Sequence, residues 1–194
     1  MVIDATGSTA NLSLEQELAA VQVSDMLQSL FGSDLLAGSL SMQLRGRGTG
    51  NTAADLLRGL AGDVSFDLTD GAYRGADLLY EVQRARALFN KEPVPQAPAD
   101  PTTPIRALNM SGTVADGVLQ TNEFVAETTG LRLLGDGGIN LVELALDYKL
   151  DAQVLRAAAS AARLGDLTNA TIPLTIRGPL VGISVNFRVW WPAG

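Results

Sequence analysis

Val181-Gly-Ile-Ser-Val-Asn-Phe-Arg-Val-Trp-Trp191 alternates without a break: Val181, Ile183, Val185, Phe187, Val189 and Trp191 on one side, Gly182, Ser184, Asn186, Arg188 and Trp190 on the other. A period of two is that of a β-strand with one apolar face. The alternation recurs at Gly38 to Leu44 (Leu40, Met42, Leu44), Val64 to Leu68 (Val64, Phe66, Leu68), Leu144 to Leu150 (Leu144, Leu146, Tyr148, Leu150) and Ile172, Leu174, Ile176. An apolar sheet face has to be covered by helices, by another sheet or by a ligand.

Helical spacing fills some of the gaps. A short helix is predicted from Ser24 as N-cap to Gly32 as stop, with Met26, Leu27, Leu30 and Phe31 on one side. A second runs from Asn51 or Thr52 to Gly62 with Leu56, Leu57 and Leu60, and matches the first at an offset of 30. A longer helix spans Asp77 to Phe89, its apolar side made of Leu78, Leu79, Val82, Ala85, Leu88 and Phe89; alanine-rich Ala152 to Leu164 is a fourth. Turns are expected at Asp70-Gly71, Asp116-Gly117, Asp136-Gly137-Gly138 and Gly178-Pro179, and Asp116-Gly117 between Leu108 to Val114 and Val118 to Thr121 is a hairpin signature. Glu123 to Thr128 and Leu131 to Leu134 read as further strands.

The expected fold is therefore α+β, predominantly antiparallel β: a curved one-sided sheet, groove-like or partly closed, with three to four short helices. Residues 1–23 are expected to be a flexible amino-terminal segment and 24–90 a helix-strand repeat half. Residues 91–104, with Pro93, Pro95, Pro98, Pro101 and Pro104, form a proline-rich linker, and 105–194 an antiparallel meander half sharing its sheet with the first.

Composition limits the chemistry. The 194 residues carry a net charge of -7, and all but two of the 14 basic residues are arginines scattered singly along the chain. That leaves no basic stripe to neutralise phosphates, so nucleic acid is excluded as a partner. With no cysteine there is no disulfide or thiolate chemistry, and with no histidine acid–base work would fall to carboxylates such as Glu123 with Glu127 or Asp147 with Asp151, even spacings that put them on a solvated strand face. No G-x-S-x-G elbow occurs, the only lysines are Lys91 and Lys149, and Asp136 lacks the ligand spacing of an EF-hand loop. Gly46-Arg47-Gly48-Thr49-Gly50 fails the dinucleotide fingerprint, since Asn51 stands where the last glycine belongs, and reads as a flexible strand-to-helix connection. The expectation is a non-enzyme without cofactor or metal. Trp190 and Trp191 point to opposite faces of a strand, so one of them lies outside the core or at a contact. There is no apolar run of about 18 residues and no leader-like start, so the chain itself is expected to be soluble.

A family resemblance accumulates along the chain. Ser24-Asp-Met-Leu, Leu40 to Gly46, Ala54-Asp-Leu-Leu-Arg-Gly-Leu-Ala-Gly-Asp-Val-Ser-Phe66 and Asp70-Gly-Ala-Tyr-Arg-Gly-Ala-Asp-Leu-Leu79 resemble the carboxy-terminal region of the AsmA family. Thr103-Pro-Ile-Arg-Ala-Leu108, Asp116-Gly-Val-Leu119, Gly135-Asp-Gly-Gly-Ile-Asn-Leu141, Leu146-Asp-Tyr-Lys-Leu150 and Ile172-Pro-Leu-Thr-Ile-Arg-Gly-Pro-Leu180 follow in the same order. The resemblance, which includes TamB-like relatives, implies a periplasmic part of an inner-membrane-anchored envelope protein. Its curved sheet would carry phospholipid acyl chains along an apolar face and serve outer-membrane biogenesis. This chain is then expected to be a carboxy-terminal fragment of such a protein. The alternative is a structural or protein-interaction module that affects outer-membrane protein assembly through other envelope proteins. Candidate groove residues are Leu40, Met42, Phe66, Leu144, Leu146, Tyr148, Ile172, Leu174, Val181, Ile183, Val185 and Phe187.

Overall fold

A computed structural model describes residues 2–4, 11–161, 164, 167, 171–179 and 184–187. Among the described residues ten strands form one antiparallel sheet: β1 (Val2–Asp4), β2 (Asn11–Gln22), β3 (Leu36–Thr49), β4 (Ala61–Tyr73), β5 (Thr103–Ala115), β6 (Val118–Thr128), β7 (Leu131–Asn140), β8 (Ala145–Val154), β9 (Thr171–Pro179) and β10 (Ser184–Phe187). Their order in the sheet is their order in the chain, so every strand pairs only with its neighbours in sequence, and the sheet is open. The helices are α1 (Val23–Phe31), α2 (Ala53–Arg58), α3 (Leu78–Asn90) and α4 (Arg156–Ala161). The antiparallel, one-sided α+β architecture expected from the alternation is the one found.

Strict antiparallel order sorts the connections between two ends. α1, α3 and α4 follow the even strands β2, β4 and β8 and so stand at one end of the sheet. α2, the two-residue turn at Asp116-Gly117 and the turn at residues 141–144 follow odd strands and stand at the other. The helices α1 and α2, which match at an offset of 30, therefore occupy opposite ends.

Several elements depart from the expectation, mostly because sheet pairing extends through residues that locally favour turns or helix. The amino-terminal segment expected to be flexible is largely strand β2. Leu12, Leu14 and Leu18 are half-buried, and the period breaks between Leu18 and Val21, where Ala20 takes φ 53° and the register shifts. Gly46-Arg47-Gly48-Thr49 is the last part of β3, paired to β2 as far as Asn11 opposite Thr49, rather than a flexible connection. Asp70-Gly71 is not a turn: Asp70 at φ 49° and Gly71 together oppose Gly38 in a β-bulge inside β4. Glu123 to Thr128 is not a separate strand either; it continues β6 past a bulge at Asn122. Asp136-Gly137-Gly138 pairs with Lys149, Tyr148 and Asp147 within β7, and Gly178-Pro179 pairs with Leu146 and Ala145 within β9. Ala152 to Val154 belongs to β8 because Ala152 is fully buried between Leu133 and Ile172, and that pairing overrides alanine's helical preference; the helix shrinks to α4.

The helix ends follow their chemistry. Thr52 caps α2, accepting the Asp55 amide at 3.1 Å, and Asp77 caps α3, accepting from Tyr80 at 3.0 Å. Ser24, expected to cap α1, lies inside its first turn, and Gln22 stands at the N-cap with no side-chain bond. Gly32 ends α1 at φ 64°, in the left-handed region glycine favours. The hairpin signature holds: Ala115 opposes Val118 across Asp116 (φ 52°) and Gly117 (φ 75°).

The proline-rich residues 92–102 form neither helix nor strand, yet they are tied down at both ends. Glu92 pairs with Arg86 at 2.8 Å, and the Tyr80 hydroxyl donates to the Pro95 carbonyl at 3.3 Å. At the far end Thr103, 4% exposed, accepts the Leu78 amide at 2.9 Å and donates to the Ala76 carbonyl at 2.7 Å, seating α3 against the start of β5. β4 and β5 then pair from Gly62 opposite Val114 to Tyr73 opposite Thr103.

Candidate functional site

Directly opposed residues of an antiparallel pair share a face, and the registers here connect into rows across the whole sheet. One row runs Val21, Leu40, Leu68, Leu108, Ala126, Leu133, Ala152, Ile172. The next runs Leu18, Met42, Phe66, Met110, Phe124, Gly135, Leu150, Leu174. Two further rows carry Leu44, Val64, Thr121, Tyr148 and Ile176, then Leu14, Val114, Leu119, Ile139 and Leu146. The result is a single apolar inner face, unbroken from β2 to β9.

Its cover is uneven. α1 lays Val23, Met26 and Leu27 on Leu40, Leu68 and Ile105. α3 brings Leu78 and Val82, and the chain around α4 brings Ala159, Leu164 and Leu167, onto Leu131, Leu133, Leu150, Ala152, Ile172 and Leu174, all of them buried. At the other end Leu60 and Leu141 close over Val64, Val114 and Leu119. Between these lids Leu18, Met42, Phe66, Met110 and Phe124 are only half-buried, and they form a strip across the middle of β2 to β6.

The candidate groove residues divide accordingly. Leu40, Tyr148, Ile172 and Leu174 share the inner face but are buried against the protein's own helices and strands; Met42, Phe66 and Leu146 share it and remain half-buried. Leu144 is not on it. It sits at φ 52° in the turn before β8, 36% exposed, because the strand begins only at Ala145. Val185 and Phe187 lie opposite Ile176 and Leu174 in the register of β10. Val181, Ile183, Trp190 and Trp191 fall outside the described residues. Sequence reading missed the strip's other members, Leu18, Met110 and Phe124: the first lies in the segment expected to be flexible, Met110 joins the strip through its pairing with Phe66, and Phe124 follows the bulge at Asn122.

A pair of hydroxyls is set into this apolar face. The Tyr148 hydroxyl hydrogen-bonds to the Thr121 hydroxyl and lies 3.2 Å from Met110 Sδ, its ring tilted against Phe124 at 5.6 Å. Burial pushes the phenol's pKa up, and the Thr121 bond offsets this in part; burial pushes Tyr73 up as well. Both groups are held in the neutral form, so the sign of the linkage is fixed. Their contribution to stability is complete below the unfolded-state value of about 10 and is lost as pH rises through the higher folded value. Urea midpoints measured from neutral pH upward are expected to stay level and then to fall above about pH 10, with a shallower fall in Tyr148→Phe.

The outer face is polar. Arg45 pairs with Glu15 at 3.2 Å and Arg177 with Asp147 at 2.8 Å, both pairs well exposed. Asp147 raises the Arg177 pKa through its hydrogen bond and its charge. Glu123, Glu127, Asp147 and Asp151 are exposed on this face, and Asp136 opposes Lys149. Gln43, Arg45, Asp63, Ser65, Ser111 and Thr113 line a shallow depression there. Among the described residues no group of three or more acidic side chains is placed to hold a metal ion, and no helix is long and apolar enough to cross a membrane.

An open antiparallel sheet whose apolar face is lidded at both ends, with a half-open strip between, defines an apolar β-trough. The profile of the AsmA family matches residues 1–124. The chain belongs to the AsmA family. It is 22% identical over 188 residues to Protein AsmA of Escherichia coli (strain K12), an overlap that takes in 96% of this chain and 30% of that protein. The chain thus spans about a third of the length of that relative. No solved structure matches it.

Proposed function

We propose that this chain is a non-enzymatic section of an apolar β-trough that holds phospholipid acyl chains in the bacterial periplasm. In this reading it is part of an inner-membrane-anchored protein that serves outer-membrane biogenesis. The observation that carries the proposal is the strip Leu18–Met42–Phe66–Met110–Phe124, apolar at every position and only half-buried where the rows on either side are closed over. Family membership supports it, because the resemblance to AsmA-like envelope proteins implies that kind of cargo.

A second reading has its own observation. α1, α3 and the chain around α4 already cover the buried part of the face, as they would in a structural or protein-interaction module with no conduit in this segment. A photoreactive side chain placed at Met42 or Phe66 in the full-length protein separates the two. The expected result is phospholipid attached at both, none at Ser65 on the opposite face, and none at buried Leu174. Crosslinks to protein alone at Met42 and Phe66 would overturn the conduit in favour of the module.

A further inference from the structure

The last turn of α3 exposes its two largest apolar side chains. The helical spacing predicts Leu88 and Phe89 on the core side, yet they are 57% and 55% exposed, while Leu78, Val82 and Ala87 are the buried residues of the helix. The chain at 92–95 returns along the side that carries Tyr80 and Ala87, through the Glu92 amide to the Ala87 carbonyl (2.8 Å) and the Tyr80 hydroxyl to Pro95. Leu88 and Phe89 are left outward, and Val94 beside them is 44% exposed.

The charge around this corner differs from that of the chain as a whole. From Glu81 to Glu92 the sequence holds Arg84, Arg86 and Lys91 against Glu81 and Glu92, a net charge of +1 in a chain of net charge -7. Arg84, Leu88 and Lys91 fall four and then three residues apart, on one stripe of the helix. Arg84 is paired with Glu81 and Arg86 with Glu92, whereas Lys91 has no ion-pair partner among the described residues. Lys91 also occupies the left-handed position that ends α3, φ 56°, where glycine is the relaxed choice. Apolar tips flanked by cations on long aliphatic stems match the interface of an anionic bilayer: the tips enter the acyl boundary while the stems reach up to phosphate.

We infer that the α3 corner is a docking surface for an anionic phospholipid bilayer, with Leu88 and Phe89 as the inserting wedge and Lys91 and Arg84 facing the headgroups. The inference is separate from the trough, since Leu88 and Phe89 are exposed residues of the last turn of α3 and not members of the strand rows that make the inner face.

Flotation of the 194-residue chain with vesicles tests it. Binding is expected to vesicles of phosphatidylcholine with phosphatidylglycerol, to weaken with added salt, and to be about fivefold weaker or more on phosphatidylcholine alone. Lys91→Glu should weaken it by about fivefold or more, and Leu88→Asp/Phe89→Asp by about tenfold or more. Both variants should keep the parent's urea midpoint, because the altered side chains are exposed. Equal binding to the two vesicles, binding indifferent to Leu88→Asp/Phe89→Asp, or no binding to either vesicle overturns the inference. So does a dimer that the double variant dissolves in a chain that ignores vesicles, which would give the corner to a second copy. Lipid crosslinks at Met42 without flotation would overturn the docking surface alone, and flotation without those crosslinks the trough alone.

Discussion

Gly135→Ala is expected to lower the unfolding free energy by about 3 kcal/mol, and Gly135→Val to leave too little folded protein for a two-state transition to be followed. Gly135 lies in mid-strand on the inner face, opposite Phe124 on one side and Leu150 on the other. A Cβ there would press on the Lys149 carbonyl oxygen and stand 2.8 Å from Leu150 Cδ2 and 2.9 Å from Leu150 Cα. Backbone and a fully packed leucine cannot both give way, so β7 would have to separate from β8. A side chain at Gly62 would meet the backbone of Arg45 and Gly46 in the same manner. These inner-face glycines let neighbouring strands approach closely. Urea unfolding monitored by circular dichroism measures the loss; a Gly135→Ala protein as stable as the parent would refute the close approach.

Leu174→Ala is expected to cost about 3 to 4 kcal/mol, against about 1 kcal/mol for Met42→Ala. Both residues belong to the same row of the inner face, and the alternation of their strands does not tell them apart. Leu174 is 2% exposed, packed in the cluster that contains Leu150 and the residues brought by α3 and α4, so truncation leaves a cavity with little freedom to collapse. Met42 is half-buried in the open strip, where a flexible side chain is lost from a surface that is already partly wet. The lipid readout should run the other way. Met42→Ala is expected to reduce phospholipid capture at Phe66 while lowering the urea midpoint far less than Leu174→Ala does, and an equal stability loss at the two positions would contradict the division of the face into covered and open parts.

The sheet was legible in the sequence because period-two alternation is imposed directly by its one-sided burial. Leu40-Met42-Leu44 and Ile172-Leu174-Ile176 announce strands, and Asp116-Gly117 announces a hairpin, because each signal is local. What misled was also local. Asp70-Gly71, Asp136-Gly137-Gly138 and Gly178-Pro179 carry turn chemistry, but each lies within a strand, at a bulge or a bend, and only pairing with a neighbour keeps the chain extended there. Ala152 looked helical for want of knowledge that Leu133 and Ile172 flank it.

The candidate site was half legible. Membership of the apolar face follows from parity within each strand; which rows lie under α1, α3 and α4 depends on tertiary packing that no periodicity encodes. Leu88 and Phe89 show the same limit from the outside: helical spacing grouped them with Val82, yet Val82 is buried and they face solvent.

Because strand order follows chain order, the sheet can assemble as a zipper, each strand closing only a short loop onto the one just formed. The connection from β4 to β5, residues 74–102, spans the greatest length of chain between any two paired strands. That closure carries the largest entropy cost along the path. The bonds of Thr103 to Ala76 and Leu78 hold the two ends of that connection together beside the Tyr73–Thr103 pair that starts the β4–β5 ladder.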